Sequence, residues 1–137
     1  MDRSPITAAR YQRLTLITLV TLVVIVVTGG AVRLTGSGLG CPDWPTCTES
    51  NAVPPLEFHA LVEFVNRLVT FVVAAATVYS LRWARRRQPR RDDLVRWSGA
   101  LVAGVAAQGI LGGLTVKLKL VPPIVMAHFL LSMVLLW

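Results

Sequence analysis

The run Leu16-Ile-Thr-Leu-Val-Thr-Leu-Val-Val-Ile-Val-Val27 decides the fold class. It carries no charged side chain and is rich in β-branched residues. A lipid-spanning helix tolerates such residues, because its backbone hydrogen bonds must close inside the segment. Extended to residues 14–34, the run reaches the roughly 20 residues that cross a bilayer. It is too long for a signal-peptide core and no small-x-small cleavage site clearly follows, so it reads as retained. Further apolar runs cover residues 60–81, 94–116 and 124–137. The expectation is an all-α integral membrane four-helix bundle, forming one transmembrane domain over residues 1–137. The fourth run is shorter than a full crossing and its only polar side chains are His128 and Ser132. It is expected to be a truncated helix.

Composition agrees. The chain is 54% hydrophobic, which leaves too little polar surface for an ordinary soluble domain of this size. The formal charge of +7 raises nucleic acid as a partner, but the placement of the charges argues against it. Arg82, Arg85, Arg86, Arg87, Arg90, Arg91 and Arg96 crowd the link between the second and third runs. Arg3, Arg10 and Arg13 precede the first. The first outer loop has no basic residue after Arg33 and carries Asp43, Glu49 and Glu57. The positive-inside rule then predicts a multi-pass protein of the cell membrane, with a cytoplasmic N-terminus and arginine link. Lys117 and Lys119 are minor exceptions on the outer side. A faint internal repeat joins Gly29-Gly-Ala-Val-Arg-Leu34 to Gly112-Gly-Leu-Thr-Val-Lys-Leu118. Each is followed by a loop, a Pro-Pro pair and then a histidine, so two related helix hairpins are expected.

Those histidines, His59 and His128, are the only two in the chain. Matched imidazoles on two helices suit a heme iron, since the porphyrin supplies the other four nitrogens. Two histidines cannot complete a structural zinc site. A buried histidine satisfied by a backbone carbonyl is the plainer reading for His128. In the second run, His59, Glu63 and Asn66 are spaced i, i+4, i+7 and share a helical face, and Arg67 lies i+4 from Glu63. Polar groups at that depth are expensive unless they face a cavity, a partner or the interface. They read either as the wall of a cofactor pocket or as an anchoring ion pair. Cys41 and Cys47, on the oxidising side by the charge rule, are expected to form a disulfide, with redox-active thiols or a metal pair as alternatives. Trp44 between them reads as a pocket cover or an interfacial anchor. Gln108, Gly109, Gly112 and Gly113 read as a close-packing face, or as room for a flat ligand.

Two strings carry a family resemblance. Thr28-Gly-Gly-Ala-Val-Arg33-Leu-Thr-Gly-Ser-Gly-Leu-Gly-Cys41-Pro-Asp-Trp-Pro resembles the first helix end and outer loop of heme A synthase. Gln108-Gly-Ile-Leu-Gly-Gly-Leu-Thr-Val116, followed by His128, resembles the same family's third and fourth helices. The resemblance implies a membrane oxidoreductase that converts the C8 methyl of heme O to a formyl group through hydroxylation. It implies a heme b cofactor, heme O as substrate, and an eight-helix protein of which this chain is the N-terminal half. It extends to partners: the bilayer, heme O synthase and a C-terminal half. The family's Glu-x-x-His-Arg motif falls here on Glu63-Phe-Val-Asn66-Arg67, so Asn66 stands where an iron ligand is expected. His59, on the same face, is expected to take that place beside His128. Glu63 is then the catalytic acidic group, and Arg67 its partner or that of a heme propionate. Asn66 lines the cofactor wall. A b-type cytochrome electron-transfer subunit and a non-catalytic membrane scaffold are the alternatives.

Overall fold

The computed structural model describes residues 5–49 and 51–137. Four helices follow in order: α1 (Ala8–Leu34), α2 (Phe58–Ala84), α3 (Asp92–Lys117) and α4 (Pro122–Leu136). Among the described residues the only other regular pairing is an isolated bridge between Ile6 and Arg87. The first three helices are long and apolar enough to cross a membrane, and α4 is a shorter apolar helix of 15 residues. These helices place the chain in a membrane.

The helices overrun the expected spans because helix and apolar run are different things. The first apolar run begins at Leu14, but α1 begins at Ala8, where the Thr7 side chain accepts the Arg10 amide hydrogen at 3.3 Å. A polar first turn costs nothing in the headgroup region and is helical all the same. At the same end of the hairpin, α2 continues through Arg82 to Ala84.

Helix α1 packs on α2, α2 on α3 and α3 on α4, and α4 returns lightly to α1. The bundle is therefore a ring, with α2 and α4 at opposite corners. Its middle is held by Leu22, Val73 and Val105, flanked by Leu101 and Leu135. Lipid tails are as apolar as these side chains, so packing and interhelical hydrogen bonds hold the helices, at about 0.6–2 kcal/mol per bond. Tyr11 and Ser98 share a hydroxyl–hydroxyl bond at 3.1 Å, and the Thr18 hydroxyl donates to the Ala76 carbonyl at 3.4 Å.

The two ends of the bundle differ. At one, the Ile6 amide donates to the Arg86 carbonyl and the Gln88 amide to the Ile6 carbonyl, tying the chain before α1 to the arginine link. The N-terminal segment and that link thus share an end, as the charge pattern predicts. Arg3 lies outside the described residues. At the other end, Gly38 of the first loop packs against Leu120 of the α3–α4 link.

The faint repeat has a structural counterpart. Helix α1 ends with the Ser37 amide donating to the Val32 carbonyl and Gly36 to Arg33, with Gly36 at φ +67°. Helix α3 ends with Leu120 donating to Thr115 and Lys119 to Val116, with Lys119 at φ +51°. Both are Schellman caps. The first left-handed residue stands seven after the first glycine in each string, Gly29 to Gly36 and Gly112 to Lys119, and Leu120 follows Lys119 into the same region at φ +62°.

The Pro-Pro pairs do not keep that register. Pro122 and Pro123 are the first two residues of α4, whereas Pro54 and Pro55 precede α2 by three residues or more. His59 is consequently the second residue of α2, and His128 the seventh of α4. At 1.5 Å per residue, His128 lies about 9 Å into its helix and His59 about 2 Å. Asn66 is the ninth residue of α2.

Candidate functional site

The site is built at the loop-bearing end, from a short disulfide-closed loop clamped onto α2. Cys41 and Cys47 are joined, and both are buried. The loop pairs part of its backbone internally, the Asp43 amide donating to the Cys47 carbonyl at 3.3 Å, and the rest needs partners elsewhere. Helix α2 supplies them. The Cys41 amide donates to Glu63 Oε2 at 2.8 Å. Arg67 donates from Nη1 to the Thr46 carbonyl at 2.8 Å and from Nη2 to the Cys41 carbonyl at 2.9 Å. The same Nη2 reaches Glu63 Oε1 at 2.7 Å, closing an i, i+4 ion pair. Glu63 is 5% exposed, so neither oxygen is left to water.

Glycine permits the close approach. A Cβ on Gly40 would fall on the backbone carbonyl of His59, so the loop lies directly against the start of α2. A Cβ on Gly113 would come within 2.8 Å of the Trp44 ring, so Trp44 rests on α3 at a position only glycine leaves open. Trp44 is still partly exposed at 38%, and it spans from the loop to the α3 backbone.

His59 is exposed, but its Nδ1 is 2.9 Å from the buried Ser37 hydroxyl, which also bonds Thr35 at 2.7 Å. With Nδ1 engaged, Nε2 is the ring nitrogen left for another partner. Asn66 faces α1, where its Oδ1 accepts the Thr28 hydroxyl at 2.7 Å. Thr28 and Asn66 sit on the wall of an apolar cavity of about 390 Å³ that also touches Ala31, Phe58, Val62 and Val65. His128 lies against α3, its Cε1 3.5 Å from where a Gly112 Cβ would be. Gln108 donates from Nε2 to the His128 carbonyl at 2.9 Å and to the Ser132 hydroxyl at 2.6 Å.

The expected residues therefore fall into three groups. Glu63, Arg67, Cys41 and Cys47 form the loop clamp, with His59 adjoining it through Ser37. Asn66 joins Thr28 on the α1–α2 seam. His128 joins Gln108 and Ser132 on the α3–α4 seam. Among the described residues no hydrogen bond or ring contact joins His59 to His128, which stand on opposite corners of the ring. Arg67 is committed to Glu63 and two loop carbonyls. Ser37, Thr28 and Ser132 carry contacts that no spacing rule marks. Gln108 had a signal, as an amide in an otherwise apolar helix.

The residues fit a heme in one respect that the structure itself shows. The His128 Nδ1 is buried with no hydrogen-bond partner, and the ring lies over a glycine, Gly112. A histidine so placed would be a residue to hold a heme iron, and His59 and Asn66 stand on α2, at the opposite corner of the ring.

The chain resembles known proteins along most of its length. The family described as COX15-CtaA, cytochrome oxidase assembly protein, matches residues 12–60 and 55–137. The chain is 37% identical over 107 residues to a heme A synthase of Geobacillus kaustophilus, a match covering 74% of the chain and 32% of that relative. It is 37% identical over 105 residues to a heme A synthase of Geobacillus thermodenitrificans, with the same coverage. A heme A synthase of Shewanella oneidensis is 29% identical over 121 residues, covering 74% of the chain and 35% of the relative. The chain spans about a third of the length of the relatives it matches. With the family matched along nearly all of α1 to α4, this chain belongs to the COX15-CtaA family of cytochrome oxidase assembly proteins.

Proposed function

We propose that this chain forms the heme-handling half of a heme A synthase-like oxidoreductase of the cell membrane, with the arginine link on the cytoplasmic side. Its substrate is heme O, whose C8 methyl is oxidised to a formyl group through hydroxylation. The observation that carries the reading is the buried, unpartnered Nδ1 of His128 across the ring from α2, in a chain whose relatives are heme A synthases. His128 and His59 are assigned as the residues that would hold the heme iron, and a bound heme b would supply the redox chemistry that takes electrons from the methyl carbon.

The chain's own residues do the rest. Ser37 holds the His59 ring by Nδ1 and leaves Nε2 for the iron. Glu63 keeps a negative charge at a fixed place, because Arg67 and the Cys41 amide occupy its oxygens. That charge suits the positive charge developing at a carbon that loses electrons. Arg67 positions Glu63 and the loop rather than reaching for a propionate. Asn66, braced by Thr28, lines the cavity wall, and Trp44 covers the bundle end. Heme O synthase and a C-terminal half are the proposed partners.

The test is a reduced-minus-oxidised optical spectrum of the purified chain beside His59→Ala and His128→Ala, followed by analysis of the extracted pigment. A low-spin heme signal that either substitution abolishes, with heme A in the extract of active membranes, is the expected result. Heme with unaltered side groups would instead favour a b-type cytochrome subunit. A signal indifferent to both histidines would overturn the ligand assignment.

A further inference from the structure

We propose that the cavity at the arginine-bearing end of α2 holds the phosphate of an anionic phospholipid. The cavity, of about 350 Å³, is lined by Val78, Leu81, Arg82, Arg85 and Arg86. Val78, Leu81, Arg82 and Arg85 stand at i, i+3, i+4 and i+7, so they form one stripe on a single helical face. Arg86 follows just past the end of α2. The stripe changes character along the helix axis. Val78 lies about 9 Å in from the last residue of α2, and the arginines gather at the helix end. Val78 is 53% exposed, so this face meets lipid and not the bundle core. A cavity with a hydrocarbon floor and a cationic rim fits a molecule that is apolar at one part and anionic at the other.

The depth also fits. The rings of Tyr79 and Trp83 stand 5.7 Å apart on the same stretch of α2. Tyrosine and tryptophan mark the boundary between hydrocarbon and headgroups, so the arginines just beyond them reach the level of lipid phosphates. The acidic residues that open α3 are spent on other arginines. Asp92 accepts from Arg90 at 2.7 Å, and Asp93 accepts from Arg91 through two bonds, at 2.9 and 2.6 Å. The Arg85 side chain makes no hydrogen bond or ion pair among the described residues. The backbone does not supply the attraction. The last carbonyls of a helix carry partial negative charge and repel an anion, so the guanidiniums make the site. Their planar forks suit phosphate oxygens, and basic pockets at the bilayer surface take acidic headgroups. A free phosphate shares that chemistry, but only a lipid also covers Val78 and Leu81 with its acyl chain. The proposal needs the membrane placement of the helices and is independent of the heme reading.

The test counts bound lipids on the full chain by native mass spectrometry, at about 0.15 M ionic strength, where diffuse attraction is screened beyond about 8 Å. The probes are dioleoyl phosphatidylglycerol and dioleoyl phosphatidylcholine, which share their acyl chains and differ in net charge. The expected result is one phosphatidylglycerol held about tenfold more tightly than phosphatidylcholine, the size of one charge-assisted hydrogen bond. Arg85→Gln is expected to lose that preference. Arg90→Gln removes the same charge from the same link, outside the cavity, and is expected to keep it. Equal affinity for the two lipids in the unaltered chain overturns the proposal, and this arm does not depend on how any variant folds. Arg85→Gln that binds like the unaltered chain overturns it too. Equal losses in Arg85→Gln and Arg90→Gln would mean diffuse attraction and no site. Inorganic phosphate is the competitor. It is expected to displace the lipid only in large excess, and displacement at equal concentration would give the cavity to a free anion and overturn the lipid.

Discussion

Glu63 Oε2 accepts the backbone amide of Cys41 at 2.8 Å, so a carboxylate on α2 holds the first residue of the disulfide loop. The same carboxylate pairs with Arg67, which grips the loop through two carbonyls. Removing it leaves a nearly buried guanidinium without its counter-charge and an amide without an acceptor. Glu63→Ala is expected to cost about 3 kcal/mol, and Glu63→Gln less, since an amide oxygen still accepts from Cys41. Thermal unfolding in detergent measures both. Equal melting of Glu63→Ala and the unaltered chain would show that the clamp contributes nothing to stability.

Much of this was open to reading in the residues. Apolar runs marked the four helices, and arginine placement paired the ends that Ile6 and Gln88 join. The i, i+4 pairing of Glu63 and Arg67 was also plain, but its use was not. Spacing places two side chains on a face; it does not say that a loop from the preceding hairpin arm will lie across them. The position of each histidine within its helix was hidden for a related reason. A Pro-Pro pair can open a helix, as Pro122 does, or stand outside it, as Pro54 and Pro55 do, and local sequence does not distinguish the two.

The matching caps at Gly36 and Lys119 make an uneven pair. A residue with a Cβ in the left-handed region carries a penalty of about 1–2 kcal/mol that glycine avoids. Lys119→Gly is expected to raise stability by about 1 kcal/mol, less what glycine loses in the unfolded chain. Gly36→Ala should lower it by a similar amount. Comparing the two melting curves checks the sign, and a destabilised Lys119→Gly would mean that its side chain holds the link in some other way.

Gly40 and Gly30 separate close packing from helix propensity. A Cβ at Gly40 meets the backbone of His59 and Ala60, which cannot turn aside, whereas one at Gly30 meets nothing within 4 Å. Gly40→Ala is expected to push the loop off α2, at a cost of about 1–3 kcal/mol, and to speed reduction of the Cys41–Cys47 bond by a membrane-impermeant thiol. Gly30→Ala should leave the reduction rate alone and slightly favour the helix. Identical rates in both variants would contradict the packing.

Asn66 offers a test of the proposed assignment of His59 as an iron ligand. It lies about 12 Å into its helix, against about 9 Å for His128 and about 2 Å for His59, and its amide is a poor ligand for iron. His59→Ala is then expected to turn a low-spin spectrum high-spin, and Asn66→His in that background to restore it. Asn66→His alone should tighten heme retention, because the new imidazole stands on the same face of α2 as His59. A low-spin spectrum that survives His59→Ala would remove His59 from the site and leave His128 facing a ligand outside this chain's own histidines.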